Sequence, residues 1–261
     1  MFDLAALDRE LTGSIFAGKL FFSSVVDSTN SKALAAARSG VPHGSVFFAD
    51  EQTAGRGRGD HAWQSTAGEG LYVSVLLRPV FSSRLLPLLS LAVGLAAAEA
   101  IHDASRLTAD LRWPNDLLLG PRKVGGILVE AKTEGTTVAY AVAGIGINVH
   151  QNAFAPDMST LPTSLDLEAG QRVSRQLLLV SLLKSLEREA LALADPTAPE
   201  KLPKRVAASS SWIAGRAVEV HGPQACRGVT DGLDSNGFLR VKTAEGLVIV
   251  QTGGIRAGEI E

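Results

Sequence analysis

The feature that most limits what this chain can become lies between two short apolar runs, Val46–Ala49 and Leu71–Leu77. Asp50 to Gly70 holds few large apolar residues apart from Trp63, and it carries Gly55-Arg56-Gly57-Arg58-Gly59. Such a stretch cannot fill a core, so the two flanking strands must present it at a surface. Three glycines in five positions let the backbone visit φ > 0 and bring its N–H groups close to a ligand. The interleaved arginines add planar, permanently charged forks suited to phosphate oxygens. The stretch therefore reads as an anion-binding loop that orders around its ligand, with a solvated Gly/Arg-rich loop as the plainer alternative. It is not a dinucleotide-binding turn, because it neither follows a strand directly nor opens a helix. Trp63 fits either a core anchor or a lid that stacks on a purine.

The rest of the chain reads as alternating strands and helices. A short amphipathic helix is expected within 2–18, then a strand over Leu20–Val26. Asp27-Ser28-Thr29-Asn30 supplies capping side chains for a helix over Ser31–Arg38. Helices are expected over Leu85–Ile101 and Arg175–Ala194, and strands over Leu111–Trp113, Leu117–Leu119, Val124–Ala131 and Thr137–Val149. A polar linker is expected from Asp195-Pro196 to Pro203. Beyond it Ala217–Val220, Phe238–Val241 and Leu247–Gln251 are short β-rich runs between turn signals, which suggests a small all-β module. Formal net charge is −2, which argues against a chain built mainly for non-specific nucleic-acid binding. The single cysteine, Cys226, fits a reducing compartment, and acidic residues at the N-terminus argue against a signal peptide. The apolar run Leu85–Ala98 is short for a membrane span and reads as a buried helix. A cytoplasmic protein without membrane attachment is the expectation.

Three further patterns offer chemistry. In Arg112-Trp113-Pro114-Asn115-Asp116, Pro114 sets a turn from which an amide and a carboxylate project. Asp116 is either part of an Asx-type turn or a Mg²⁺ ligand near a nucleotide triphosphate. Lys123 is a solvated strand end or a compact cation for a carboxylate or phosphoryl group. Glycines inside apolar strands, at Gly125-Gly126 and in Gly144-Ile145-Gly146-Ile147-Asn148, cost stability and mark a close approach or a packing need.

In this order, these residues resemble the biotin protein ligase family. The matching stretches are Asp27–Asn30, Gln52–Arg58, Trp63, Trp113–Asp116, Lys123–Glu130 and Gly144–Asn148. They cover about 20–150, and the β-rich tail is similar to the family's SH3-like C-terminal domain. The resemblance implies an α/β (α+β) catalytic domain over 1–205, with a mixed sheet flanked by helices as in class II aminoacyl-tRNA synthetases. A small β-barrel over 206–261 would follow. It implies biotin, ATP and Mg²⁺ as substrates and cofactor. Biotin's carboxylate attacks the α-phosphate to give biotinyl-5′-AMP, and a lysine of a biotin carboxyl carrier domain then takes the biotinyl group.

The resemblance also distributes roles. Ser28, Thr29, Asn30, Gln52, Gly55, Gly57 and Gly126 belong to the biotin end. Arg56 and Arg58 hold phosphates and also border biotin, and Lys123 bridges the biotin carboxylate and the α-phosphate. Trp63, Asn115, Asp116 and Asn148 serve ATP or the adenylate, with Asp116 placing Mg²⁺. The carrier, from a biotin-dependent carboxylase, is expected along an exposed sheet edge, a face a homodimer would share. Arg112 stands where lysine is more usual, and Gly59-Asp60-His61-Ala62 replaces a more basic run. With about twenty residues before the first family strand, the DNA-binding domain of repressor members is not expected. The competing readings are a lipoate protein ligase-like acyl-adenylate enzyme and a non-catalytic biotin-binding regulator.

Overall fold

Ser28 is the side chain that starts the first sheet-covering helix. Its backbone is extended and its hydroxyl accepts from Ser31 N, so α2 opens at Thr29 and runs to Arg38, two residues earlier than the sequence suggests. The computed structural model describes residues 2–59, 61–79, 81–155 and 160–258. Before α2 come α1 (Leu4–Glu10), capped by Asp3, and β1 (Leu20–Val26). After it follow β2 (Ser45–Gln52) and β3 (Gly70–Leu77), and then α3 (Leu86–Ser105), β4 (Asp110–Arg112) and β5 (Asp116–Leu119). The long β6 (Arg122–Glu134) and β7 (Thr137–Asn148) form a hairpin, and α4 (Leu165–Ala169) and α5 (Arg175–Leu193) complete this part.

These strands make one seven-stranded sheet in the order β1-β2-β3-β7-β6-β5-β4. Only β1 and β2 pair in parallel; the other pairs are antiparallel, so the sheet is mixed. β3 is buried along its whole length, as its near-continuous apolar sequence requires. One face of the sheet is covered by α3 and α5, whose leucines and alanines join the main core. Each fully buried leucine there contributes about 1.5–3 kcal/mol relative to exposure. With the short turn before it, α3 is long and apolar enough to cross a membrane by length and composition. It nevertheless buries Leu88, Leu91, Ala92 and Ile101 within the main core.

The segment expected to be a polar linker folds instead as α6 (Ala198–Ser209). Pro199 sits in its first turn, where a missing N–H costs nothing, while Pro203 gives up one interior bond. Ala198, Leu202 and Val206, four apart, are buried, and Arg205 pairs with the buried Glu189 of α5 at 2.5 Å. The tail forms a five-stranded antiparallel sheet from β8 (Ala214–His221), β9 (Cys226–Leu233), β10 (Leu239–Thr243), β11 (Gly246–Val250) and β12 (Gly254–Ala257). Its order is β11-β10-β9-β8-β12. Two of these strands, β9 and β12, escape the sequence reading because Gly228, Asp231, Gly232 and Gly254 dilute their β character.

Candidate active site

One cavity of about 900 Å³ gathers the separated sequence patterns. Its first wall is the N-terminus of α2. Thr29 donates from both its N–H and its hydroxyl to Gln52 Oε1, at 2.8 and 3.0 Å. Ser74 Oγ on β3 lies 2.8 Å from Thr29 Oγ1 and 2.5 Å from Asn30 Oδ1. Asn30 Nδ2 in turn donates to Glu130 Oε2 at 2.9 Å. Ser28, Thr29, Asn30 and Ser74 are all buried, so this wall is a satisfied polar network whose members fix one another. Gly144 makes room for it: a Cβ there would lie 2.1 Å from Asn30 Oδ1.

The glycine–arginine stretch is more structured than a long open loop. β2 extends to Gln52, and isolated bridges join Gln52 to Ser65 and Arg56 to Ala62. Gly57 N donates to His61 O and Trp63 N to Gly55 O, closing a small hairpin at the tip. Gly55 is needed for that closure, because a Cβ would lie 2.3 Å from Trp63 O. It does not line the cavity, whereas Gly57 does. Arg56 Nη2 pairs with Glu130 Oε1 at 2.7 Å. Arg58 reaches across to the tail, with Nη2 donating to Thr252 Oγ1 at 2.7 Å and Nη1 to Gly253 O. Burial pushes the Arg58 guanidinium below its ordinary pKa, and the negative charge of Asp116 works against that shift.

Trp63 lies on the sheet. A Cβ at Gly146 would come within 2.6 Å of its indole Nε1, and one at Gly126 within 3.2 Å of Cζ3. The alternating glycines of β6 and β7 therefore form a floor that accepts a flat ring. Trp63 Nε1 is buried without a partner, and Lys123 Nζ lies 5.6 Å from the ring centroid.

The opposite wall is the Trp113–Asp116 turn, whose Trp113–Pro114 peptide is cis. Asn115 ties it to β6 by two bonds: Nδ2 donates to Ile127 O at 2.8 Å, and Asn115 O accepts from Ile127 N at 2.9 Å. Asp116 sits between two cations. Its Oδ1 accepts from Lys123 Nζ at 2.5 Å, and its Oδ2 from Arg112 Nη2 at 2.6 Å. The carboxylate expected to place Mg²⁺ is thus engaged by two cations in this structure. Both carboxylate oxygens face cations, and among the described residues no cluster of three His, Cys, Asp or Glu side chains could hold a metal. The protein builds no metal cage of its own around Asp116, and a Mg²⁺ carried on triphosphate oxygens would have to draw this one carboxylate away from Lys123. Asn148 stands apart as well: its Nδ2 donates to Thr163 O at 3.0 Å, and the residue does not line the cavity.

The third wall is absent from the sequence reading. His221, Pro223, Thr252, Gly253 and Arg256, all from the tail sheet and its loops, line the same cavity. Gly253, at φ +126, allows the loop to pass close to His221 O. The Gly253-Gly254 pair was the only local signal of this, and it resembles any other turn. The finished arrangement has a polar network at one end, a flat glycine floor, and two arginines and a lysine between that network and the tail sheet. It suits a small polar ring joined to an anion.

A family profile described as "Biotin/lipoate A/B protein ligase family" matches residues 22–148. The chain is 32% identical over 242 residues to the bifunctional ligase/repressor BirA of Bacillus subtilis (strain 168), covering 92% of this chain and 74% of that protein. It is 33% identical to the biotin--[acetyl-CoA-carboxylase] ligase of Mycobacterium tuberculosis, covering 87% of this chain and 85% of the relative. Among solved structures, the biotin protein ligase from Aquifex aeolicus in complex with biotin and ATP superposes with a TM-score of 0.78 at 28% identity. That match covers 92% of this chain and 98% of the other.

Proposed function

The chain belongs to the biotin/lipoate A/B protein ligase family, and we propose that the three walls of its cavity divide between them the two halves of biotin ligation. It is an ATP-dependent biotin protein ligase that uses biotin and ATP as substrates. The observation that carries the division of labour is the shared cavity lining. Ser28, Thr29, Asn30 and Gln52 stand at one end, with Lys123, Arg56 and Arg58 between that end and the tail sheet.

In this reading the hydroxyls and amides of the α2 wall hold the ureido ring of biotin. Lys123 meets the carboxylate where it faces the α-phosphate, reducing repulsion between two anions. The carboxylate oxygen forms a bond to the α-phosphorus while the bond to the pyrophosphate oxygen breaks. Arg56 and Arg58 offset the negative charge that builds on the phosphoryl oxygens. No side-chain nucleophile is needed, so the work is alignment and charge stabilisation. Trp63 shifts from its floor to cover the adenine, with Asn115 on the nucleotide side. In the second half a carrier ε-amine attacks the acyl carbon, AMP departs with the electron pair, and the amine loses its proton.

The acceptor is a carrier domain of a biotin-dependent carboxylase. β5 pairs with β6 only as far as Gly126, so the outer half of β6 keeps one edge open, which supports docking of a carrier strand there. A homodimer would use the same edge. A cytoplasmic protein that binds neither nucleic acid nor membrane, divided into 1–205 and 206–261, completes the proposal; the division falls inside α6.

The test mixes the protein with biotin, Mg²⁺-ATP and an apo carrier domain and weighs the carrier by mass spectrometry. A biotin mass on the carrier lysine is expected. Modification only when lipoate replaces biotin would overturn the reading.

A further inference from the structure

Arg112 is a buried cation, and its surroundings go beyond what the ligase chemistry assigns. Only 8% of its surface is exposed. A charge so placed must be neutralised, and its planar fork must be held. Its Nε and Nη2 donate to Asp116 Oδ2 at 3.2 and 2.6 Å, and Nη2 also donates to Thr160 Oγ1 at 2.8 Å. Its Cζ stands 5.4 Å from the ring centroid of Trp212. A guanidinium can donate in its plane while its face meets an indole; an ammonium at this position would surrender one of the two.

Trp212 is held through the residues that precede it. It is 5% exposed and belongs to the segment that leads from α6 into the tail sheet. Ser210 Oγ donates to Leu111 O at 2.6 Å, Trp212 N donates to Ser210 Oγ at 3.1 Å, and Ser211 N donates to Asp110 Oδ1 at 3.0 Å. The segment 210–212 is thus tied to Leu111 and Asp110 of β4, and Arg112, the next residue of that strand, meets the indole. A second guanidinium, Arg216, stacks on the same ring at 3.8 Å, and its Nη1 donates to Ser211 Oγ at 3.2 Å.

We propose that Trp212 is a positioning residue for Lys123, acting through Arg112 and Asp116. The indole fixes the Arg112 plane, that plane fixes Asp116, and Asp116 holds the Lys123 ammonium at the cavity wall. The entry to the tail sheet thereby sets the geometry of the adenylating site. This inference rests on the role given above to Lys123.

The experiment is a double-mutant cycle on the full chain, read as kcat and KM for pyrophosphate release with biotin and Mg²⁺-ATP. Trp212→Met leaves a flexible apolar side chain in the core but removes the ring face, and Trp212→Phe restores a face. Trp212→Met is expected to lower kcat by about fivefold to thirtyfold with little change in the KM for biotin, and Trp212→Phe to recover most of it. In an Arg112→Lys background, which is itself slowed, the Trp212 substitution should add nothing. Equal losses in both backgrounds would overturn the proposal. An Arg112→Lys enzyme as fast as wild type would overturn it too, since an ammonium would then hold Asp116 without the ring. Normal pyrophosphate release by Lys123→Ala would instead overturn the underlying role of Lys123. If Trp212→Met does not fold, the same cycle with Trp212→Phe, read as a smaller coupled loss, decides the matter.

Discussion

Lys123 Nζ lies 2.5 Å from Asp116 Oδ1, on a carboxylate that also accepts from the buried Arg112. One anion between two cations leaves the wall with a surplus positive charge turned toward the cavity. Lys123 is the more exposed of the two cations, and its flexible stem lets it leave Asp116 for an incoming carboxylate.

Lys123→Ala should therefore abolish adenylation without unfolding the chain, because Asp116 keeps its Arg112 partner. Removing such a charge from a preorganised site lowers the rate by about 10²–10³-fold. Pyrophosphate release measures the loss, and the thermal transition should stay close to wild type. Near-normal release would remove Lys123 from the mechanism.

Arg58 ties the glycine–arginine hairpin to the tail through Thr252 and Gly253. Arg58→Met keeps the stem but removes both bonds, so the hairpin loses its hold on the third wall. Retained biotinyl-5′-AMP should then dissociate about tenfold faster, the equivalent of about 1.4 kcal/mol. Isolating the loaded enzyme and following free adenylate with time provides the measurement. A lifetime equal to wild type would mean that the tail contact does not retain the intermediate.

Legibility in the sequence followed locality. Strands such as β3 and helices such as α5 carry their own apolar patterns, and Arg56, Arg58, Asp116 and Lys123 sit in motifs that announce themselves. α6 was hidden by Pro199 and Pro203, which are read as breakers although the first-turn position tolerates one of them. The contacts of Arg58 with Thr252 and of Arg112 with Trp212 join residues far apart in the chain. No local pattern encodes them, since each depends on how the tail sheet packs against the first. The glycines of β6 and β7 were legible as a place of close approach, but not as the seat of Trp63.

His43 gives the fold an acid sensitivity. Its Nδ1 accepts from Arg78 N at 3.0 Å, which requires an unprotonated nitrogen. Burial, with Lys19 and Arg78 nearby, pushes the imidazole below its usual pKa. The unfolded chain then binds the proton more readily than the folded one. The stabilisation is complete above the unfolded value of 6.5 and is lost as pH falls from there through the folded value. His43→Gln, which can still accept from Arg78 N, should flatten this part of the stability curve. Melting temperatures at about pH 7.5 and about pH 5 give the comparison. An unchanged difference between the two would assign the acid sensitivity to other groups.

Gly146 tests whether the glycine floor serves the ring of Trp63. A methyl group there would lie 2.6 Å from the indole, closer than real Cβ contacts allow, and an aromatic ring cannot bend aside. The strand itself tolerates alanine, since β7 is extended and already carries Ala141 and Ala143 on its path. Gly146→Ala should thus lift Trp63 off the sheet while keeping the fold. Overpacking at such a site costs about 1–3 kcal/mol, so a modest fall in melting temperature is expected. The decisive signal is optical, read in a background with Trp113 and Trp212 both replaced by Phe so that Trp63 alone reports. A displaced indole moves into water, and its emission should shift to longer wavelength, with weaker quenching on addition of biotin and ATP. If the emission and its response to ligands match those of the Gly146 protein, the indole has found room without leaving the floor. The glycine would then serve the approach of the ligand rather than the seat of the ring.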